Sequence, residues 1–102
     1  MSVAKGAETW GDSKPQAWEA DAARFFAGLQ TLDAYLGSTA PLACRAEQLF
    51  QGPIADALTH VGQIAMLRRA AGAPVRGENY LRADIVAGRV GAEQAAPRRE
   101  FD

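Results

Sequence analysis

The chain has 102 residues, of which 48% are hydrophobic and 23% charged, a composition typical of one globular domain with a folded core rather than of a disordered chain. Eleven basic and twelve acidic residues give a net charge of -1, so no overall positive field attracts nucleic acid or anionic lipid, and a nucleic-acid partner is disfavoured. The single cysteine, Cys44, excludes an intramolecular disulfide, and no secretory signal or run of about eighteen apolar residues is present, so we expect a cytoplasmic protein without a membrane span.

The first twelve residues are predicted to be a flexible N-terminal arm, because they are small, polar and contain glycine. Trp10 is the one expected anchor of this arm. A helix is expected to start after Ser13, which can cap it, because Pro15 suits a first turn and Gln16 completes a capping box.

The first helix carries an apolar seam with alternating steps of four and three residues, the spacing of a helix that packs lengthwise against others. The seam consists of Trp18, Ala22, Phe25, Leu29, Leu32 and Leu36. We expect the helix to end at about Leu36, with Gly37 in the left-handed conformation that often follows a last turn. Burial of each large seam residue would contribute roughly 1.5 to 3 kcal/mol.

A second long helix is predicted from Pro53 to Ala71, with Gly72 as its stop. The segment before it, Leu42 to Phe50, fits either a short helix or an ordered connector. The second helix has one broad apolar arc on a helical wheel. That arc consists of Ile54, Ala57, Leu58, Val61, Ile64, Ala65 and Leu67.

A short third helix is predicted to start at Asn79 or Glu78 and to end at Gly88, and it includes Tyr80, Leu81, Ile85 and Val86. The helical domain would then span residues 13–90. Residues 91–102 have little apolar surface and are predicted to be a mobile tail or to lie on a neighbour. The expected fold class is all-α, a helical hairpin with a short third helix.

Two long helices and a short third helix do not enclose a core, because each apolar seam has one neighbour where a bundle provides two. We therefore expect a two-fold homodimer in which two hairpins form a four-helix bundle, since a self-complementary surface needs no second kind of chain.

The only histidine, His60, falls inside the apolar arc, with Asp56 four residues before it and Gln63 three residues after it. We expect His60 to face the core, where Asp56 and His60 would ligate one divalent metal ion with Gln63 as a supporting side chain. The alternative is a half-buried histidine that is hydrogen-bonded to Asp56 or to a facing helix and binds no metal.

The segment His60-Val61-Gly62-Gln63-Ile64, followed by Leu67-Arg68-Arg69 and Gly72, resembles the last helix of the DinB/YfiT-like four-helix-bundle proteins. In that family the helix often carries His-x-x-x-His, then one residue, Gly-Gln and an apolar run that ends in arginine and glycine. His60 matches the second histidine of this pattern, and Asp56 stands at the position of the first.

The resemblance covers about residues 18–90 and corresponds to the C-terminal half of such a bundle. It implies a divalent ion, such as Zn, Ni or Fe, and a relation to metal-dependent transferases and hydrolases that act on a small-molecule thiol or on water. The third metal ligand in the family is a histidine on its second helix, which has no counterpart here. The candidates to complete the ligand set are Cys44, Glu47, Asp33, Glu19, or Asp56 and His60 of a second copy.

Two functions of other classes stay open beside the enzyme-like interpretation. A non-catalytic helical module would use its apolar seam to bind its own copy or another protein. A small DNA-binding module is less favoured. Leu67–Gly72 followed by Tyr80–Val86 is similar to the start of a helix-turn-helix, but no basic recognition helix follows.

Arg68 and Arg69, at the end of the second helix, either complement the helix dipole or bind an anionic ligand.

Overall fold

The computed structural model describes residues 1–7 and 14–101, and the chain is mainly helical, as the sequence predicts. Its elements are a 3-10 turn Val3–Lys5, helix α1 Trp18–Leu36, helix α2 Ala46–Leu49, a π-turn Phe50–Ile54, helix α3 Ala55–Ala70, strand β1 Gly77–Glu78 and strand β2 Glu100–Phe101. The chain divides into two compact units, Met1–Arg45 with Val86–Gln94 and Ala46–Ile85 with Ala95–Asp102. No described helix combines the length and apolar character that crossing a bilayer requires.

Helix α1, in the first unit, begins at Trp18, later than the predicted first turn at Pro15. The backbone N–H of Gln16 donates to the carboxylate of Asp21 at 3.1 Å, and Asp21 and Glu19 place negative charge where the helix dipole favours it. The cap predicted at Ser13 lies outside the described residues.

The end of α1 at Leu36 is confirmed, but the predicted conformation of Gly37 is wrong. Gly37 has φ −78°, in the ordinary right-handed region. The reason is Ser38, whose hydroxyl donates to the carbonyl of Tyr35 at 2.7 Å and whose oxygen accepts the N–H of Ala40 at 3.1 Å. Because this side chain satisfies the end of the helix, no left-handed residue is needed.

The first seven residues contact the loop that follows α1. Ala4 is buried in the 3-10 turn, and its carbonyl accepts the N–H of Ala43 at 3.0 Å. The ammonium group of Lys5 lies 5.5 Å from the centre of the Tyr35 ring. Part of the predicted arm therefore has a tertiary contact, while the flexibility of residues 1–12 stays a prediction and Trp10 lies outside the described residues.

The second unit opens with a helical path from α2 through the π-turn into α3, so the predicted break at Gly52-Pro53 is wrong. Pro53 lies within the π-turn, and the N–H of Ala55 reaches back five residues to the carbonyl of Phe50. Proline has no N–H and its ring crowds the carbonyl four residues earlier. A local widening of the helix accommodates both effects without ending it.

The stop at Gly72 is confirmed. Gly72 has φ +75°, its N–H donates to the carbonyl of Arg69 at 3.1 Å, and the N–H of Ala73 donates to that of Arg68 at 2.9 Å. This pair of bonds is the Schellman arrangement, which requires a left-handed residue at this position.

The predicted third helix at residues 79–88 is wrong, because Asn79 starts a tight turn there instead. Its side-chain oxygen accepts the N–H of Leu81 at 3.0 Å, and its carbonyl accepts the N–H of Arg82 at 2.9 Å. Asparagine favours such turns over helices because its side chain competes for nearby backbone donors.

Just before the Asn79 turn, β1 pairs antiparallel with β2, and Gly77 lies opposite Phe101. The segment 91–102 thus contains a paired strand, and its mobility stays a prediction.

Within the described ranges, only Ala4 and Leu49 are buried among the hydrophobic residues. The described residues cover the α1 seam only in part, since Ala22, Leu29 and Leu32 are half-buried. Trp18 is 70% exposed and Phe25 51% exposed. Helix α3 likewise has no buried residue. Large apolar side chains of both helices are therefore exposed in the described ranges.

Candidate metal-binding site on helix α3

The two predicted ligands lie side by side on α3. One helical turn separates Asp56 from His60, which brings side chains four residues apart to the same strip of surface. The Nε2 atom of His60 is 3.5 Å from Oδ2 of Asp56. The structure therefore brings the predicted pair together as the spacing indicates.

Gln63 fixes the orientation of the imidazole ring. The Nδ1 atom of His60 lies 2.8 Å from Oε1 of Gln63, and the tautomer with its proton on Nδ1 donates to this amide oxygen. In the neutral ring, Nε2 then has its lone pair free on the side of Asp56. A histidine that ligates a metal ion commonly donates its other ring N–H in this way.

The expectation that His60 faces a core is wrong for the single chain. The side chain of His60 is 61% exposed and that of Asp56 is 68% exposed. Their neighbours on the apolar arc are also open, with Val61 51% and Ile64 47% exposed. A helical wheel shows which residues share a face, whereas burial depends on whether another element covers that face.

The distance between the two ligand atoms suits a shared metal ion. Two atoms held about 2.0 to 2.1 Å from a tetrahedral zinc ion lie about 3.3 to 3.4 Å apart. The separation of 3.5 Å between Nε2 of His60 and Oδ2 of Asp56 is slightly longer than this value. A small side-chain rotation would bring the two atoms to it. The same separation also suits an ion pair when the imidazole is protonated, which is the alternative without metal.

One chain supplies two ligands rather than a full set. In the part of the chain that the structure describes, no three histidine, cysteine, aspartate or glutamate side chains group around a point where an ion could bind. Within the second unit, Glu47 therefore does not join Asp56 and His60 in such a group, and a contribution from Cys44, Asp33 or Glu19 stays a prediction. Cys44 is a free, half-buried thiol.

A second candidate site was not predicted from the sequence. Asn79, Arg82, Arg98 and Arg99 line a pocket in the second unit. The one local signal is the pair Arg98-Arg99, because Arg82 lies sixteen residues earlier and only the tertiary structure brings it near.

Comparison with protein-family models, with curated proteins and with solved structures finds no match for this chain. The resemblance to the DinB/YfiT-like proteins thus stays a prediction that depends on the motif in α3.

Proposed function

We propose that this chain is a helical self-association module, in which a second copy covers the apolar faces of α1 and α3. The observation that carries the proposal is α3, a 16-residue helix without a buried residue. Its apolar side chains include Leu58 at 60%, Val61 at 51% and Leu67 at 63% exposure.

Exposed apolar area of this kind favours association. Each square ångström of apolar surface removed from water contributes about 25 cal/mol, and specific interfaces bury about 1,200 to 2,000 Å² in total. Two long helices from each of two copies have the number of helices in a four-helix bundle, the fold that the DinB/YfiT-like resemblance implies. A two-fold arrangement also needs one surface rather than two complementary ones.

Sedimentation velocity of the full chain over a range of micromolar concentrations tests this proposal. We expect a dimer, with a monomer fraction that grows on dilution. A well-folded monomer at all of these concentrations would refute self-association.

A second candidate function is divalent metal binding by Asp56 and His60, favoured by the 3.5 Å approach of their ligand atoms and by the Gln63 contact that leaves Nε2 free. Two copies across a two-fold axis would supply two imidazole nitrogens and two carboxylates, a four-ligand set suited to Zn, Ni or Fe. This requires the two α3 helices to face each other, and it makes the metal site dependent on the dimer.

An ion with an open coordination position beside these four ligands would polarise a bound thiol or water, the chemistry of the thiol transferases and hydrolases to which the resemblance points. The residues of this chain would supply the ligands and the ring orientation. Metal analysis of protein purified without a polyhistidine tag tests this candidate. We expect one ion per dimer, and the absence of any stoichiometric divalent ion would leave the non-catalytic module.

A further inference from the structure

Asn79 is the organising residue of a surface that the proposed function does not use. Its backbone N–H donates to the carbonyl of Arg99 at 2.8 Å, which continues the β1–β2 pairing by one residue. Its own carbonyl accepts the N–H of Arg82 at 2.9 Å. The backbones of two arginines that are far apart in sequence are thus both bonded to Asn79.

Arg98 is positioned in the same region by a separate contact. Its backbone N–H donates to Oε1 of Glu78 at 3.0 Å. With Asn79, Arg82 and Arg99 it lines a pocket of about 670 Å³. All four lining residues are solvent-exposed, so a ligand has direct access.

The positive charge of this pocket is only partly compensated. Arg98 lies 3.9 Å from Asp84. No carboxylate in the described ranges pairs with the guanidinium group of Arg82 or Arg99. Two permanently charged groups are therefore available to an anion.

We propose that this pocket binds the phosphate group of a small phosphorylated molecule, a phosphomonoester or a diphosphate. Guanidinium groups match the oxygens of phosphate with paired, charge-assisted hydrogen bonds. A phosphate group offers about two negative charges and three acceptor oxygens, which suits a pocket lined by several arginines better than a single carboxylate does. The polar lining favours a small, strongly charged ligand over an apolar one.

Titration of the full chain with inorganic pyrophosphate, followed by amide NMR shifts at constant ionic strength, tests the proposal. We expect saturable shifts centred on Asn79, Arg82, Arg98 and Arg99. The exposed substitutions Arg82→Gln and Arg99→Gln should each weaken binding about tenfold or more, because each removes a charge-assisted contact.

Arg24→Gln is the matched control, since Arg24 is an exposed arginine on α1 outside the pocket. Its binding should equal that of the unchanged chain, and circular dichroism should show the same helix content in all variants. Equal weakening by Arg24→Gln, or shifts spread over the whole surface, would show that binding is general charge attraction and would overturn the proposal. Tighter binding of a short single-stranded oligonucleotide than of pyrophosphate, lost in the same two variants, would overturn it in favour of nucleic acid.

Discussion

Nδ1 of His60 lies 2.8 Å from the side-chain oxygen of Gln63, and this contact leaves Nε2 as the ring nitrogen available as a ligand. The remaining nitrogen, Nε2, faces Asp56 on the preceding turn. The three side chains therefore form an ordered row along α3, in which an amide holds the ring and a carboxylate lies beside the free nitrogen.

This row gives the first prediction, which concerns metal affinity. Replacing His60 by Ala should abolish stoichiometric Zn²⁺ binding. Gln63→Ala should weaken it by about 10-fold to 100-fold, because the ring loses the partner that fixes its orientation. Isothermal titration calorimetry with Zn²⁺ measures both changes in affinity. Gln30→Ala on α1 is the control and should leave the affinity unchanged; unaltered Zn²⁺ affinity in His60→Ala would exclude this site.

The second prediction concerns the apolar arc of α3. Ile64→Lys places a charge in the middle of the face that a second copy is proposed to cover, so it should shift the sedimentation profile to monomer. Met66→Lys introduces the same charge on the opposite side of the helix, at a residue that is 63% exposed, and should leave association intact. A dimer that tolerates Ile64→Lys would show that another surface mediates association.

The third prediction concerns Gly72 and Gly62, at which substitution by alanine should change the stability of the fold in opposite directions. Gly72 is left-handed with φ +75°, so Gly72→Ala should destabilise the fold by about 1 to 2 kcal/mol. Gly62 lies inside α3, and a Cβ atom at this position would meet nothing within 4 Å, so Gly62→Ala should stabilise the fold by about 0.5 to 1 kcal/mol. Urea unfolding at one fixed protein concentration measures both changes. Shifts of the same sign would contradict this assignment of the helix end.

The fourth prediction concerns the pairing of β1 with β2. A Cβ atom on Gly77 would lie 2.7 Å from the ring of Phe101, too close for both to keep their places. Gly77→Ala should displace Phe101 and loosen the strand, and trypsin should then cleave faster after Arg98 and Arg99. Gly91→Ala is the control, because a Cβ there meets nothing within 4 Å. Equal cleavage rates in the two variants would argue against the Gly77–Phe101 contact.

Local signals predicted several elements of the fold correctly. The seam spacing located α1 and its end at Leu36, and Gly72 marked the end of α3, because both depend on neighbours in sequence. The same kind of reasoning failed at Gly37, where Ser38 supplied the helix end, and at Pro53, where a wider turn absorbed the proline. In both places a less common local structure formed instead of the one that the residue type usually indicates.

The candidate metal-binding site was likewise predictable only in part. Spacing alone placed Asp56, His60 and Gln63 on one strip of α3, since the helical repeat fixes which side chains are neighbours. It did not determine that His60 is exposed, because burial depends on what packs against the helix. The pocket around Asn79 was not predictable either, since Arg82 and Arg99 meet there only through the β1–β2 register and the turn after it.

The sequence by itself determined the long helices and the order of chemical groups along α3, because backbone geometry repeats over a few residues and needs no distant partner. Only the tertiary structure decided that β1 pairs with β2 and that arginines from two segments share one pocket. Those outcomes depend on hydrogen bonds between residues about twenty positions apart, such as the bond from Asn79 to Arg99, and local periodicity carries no information about them.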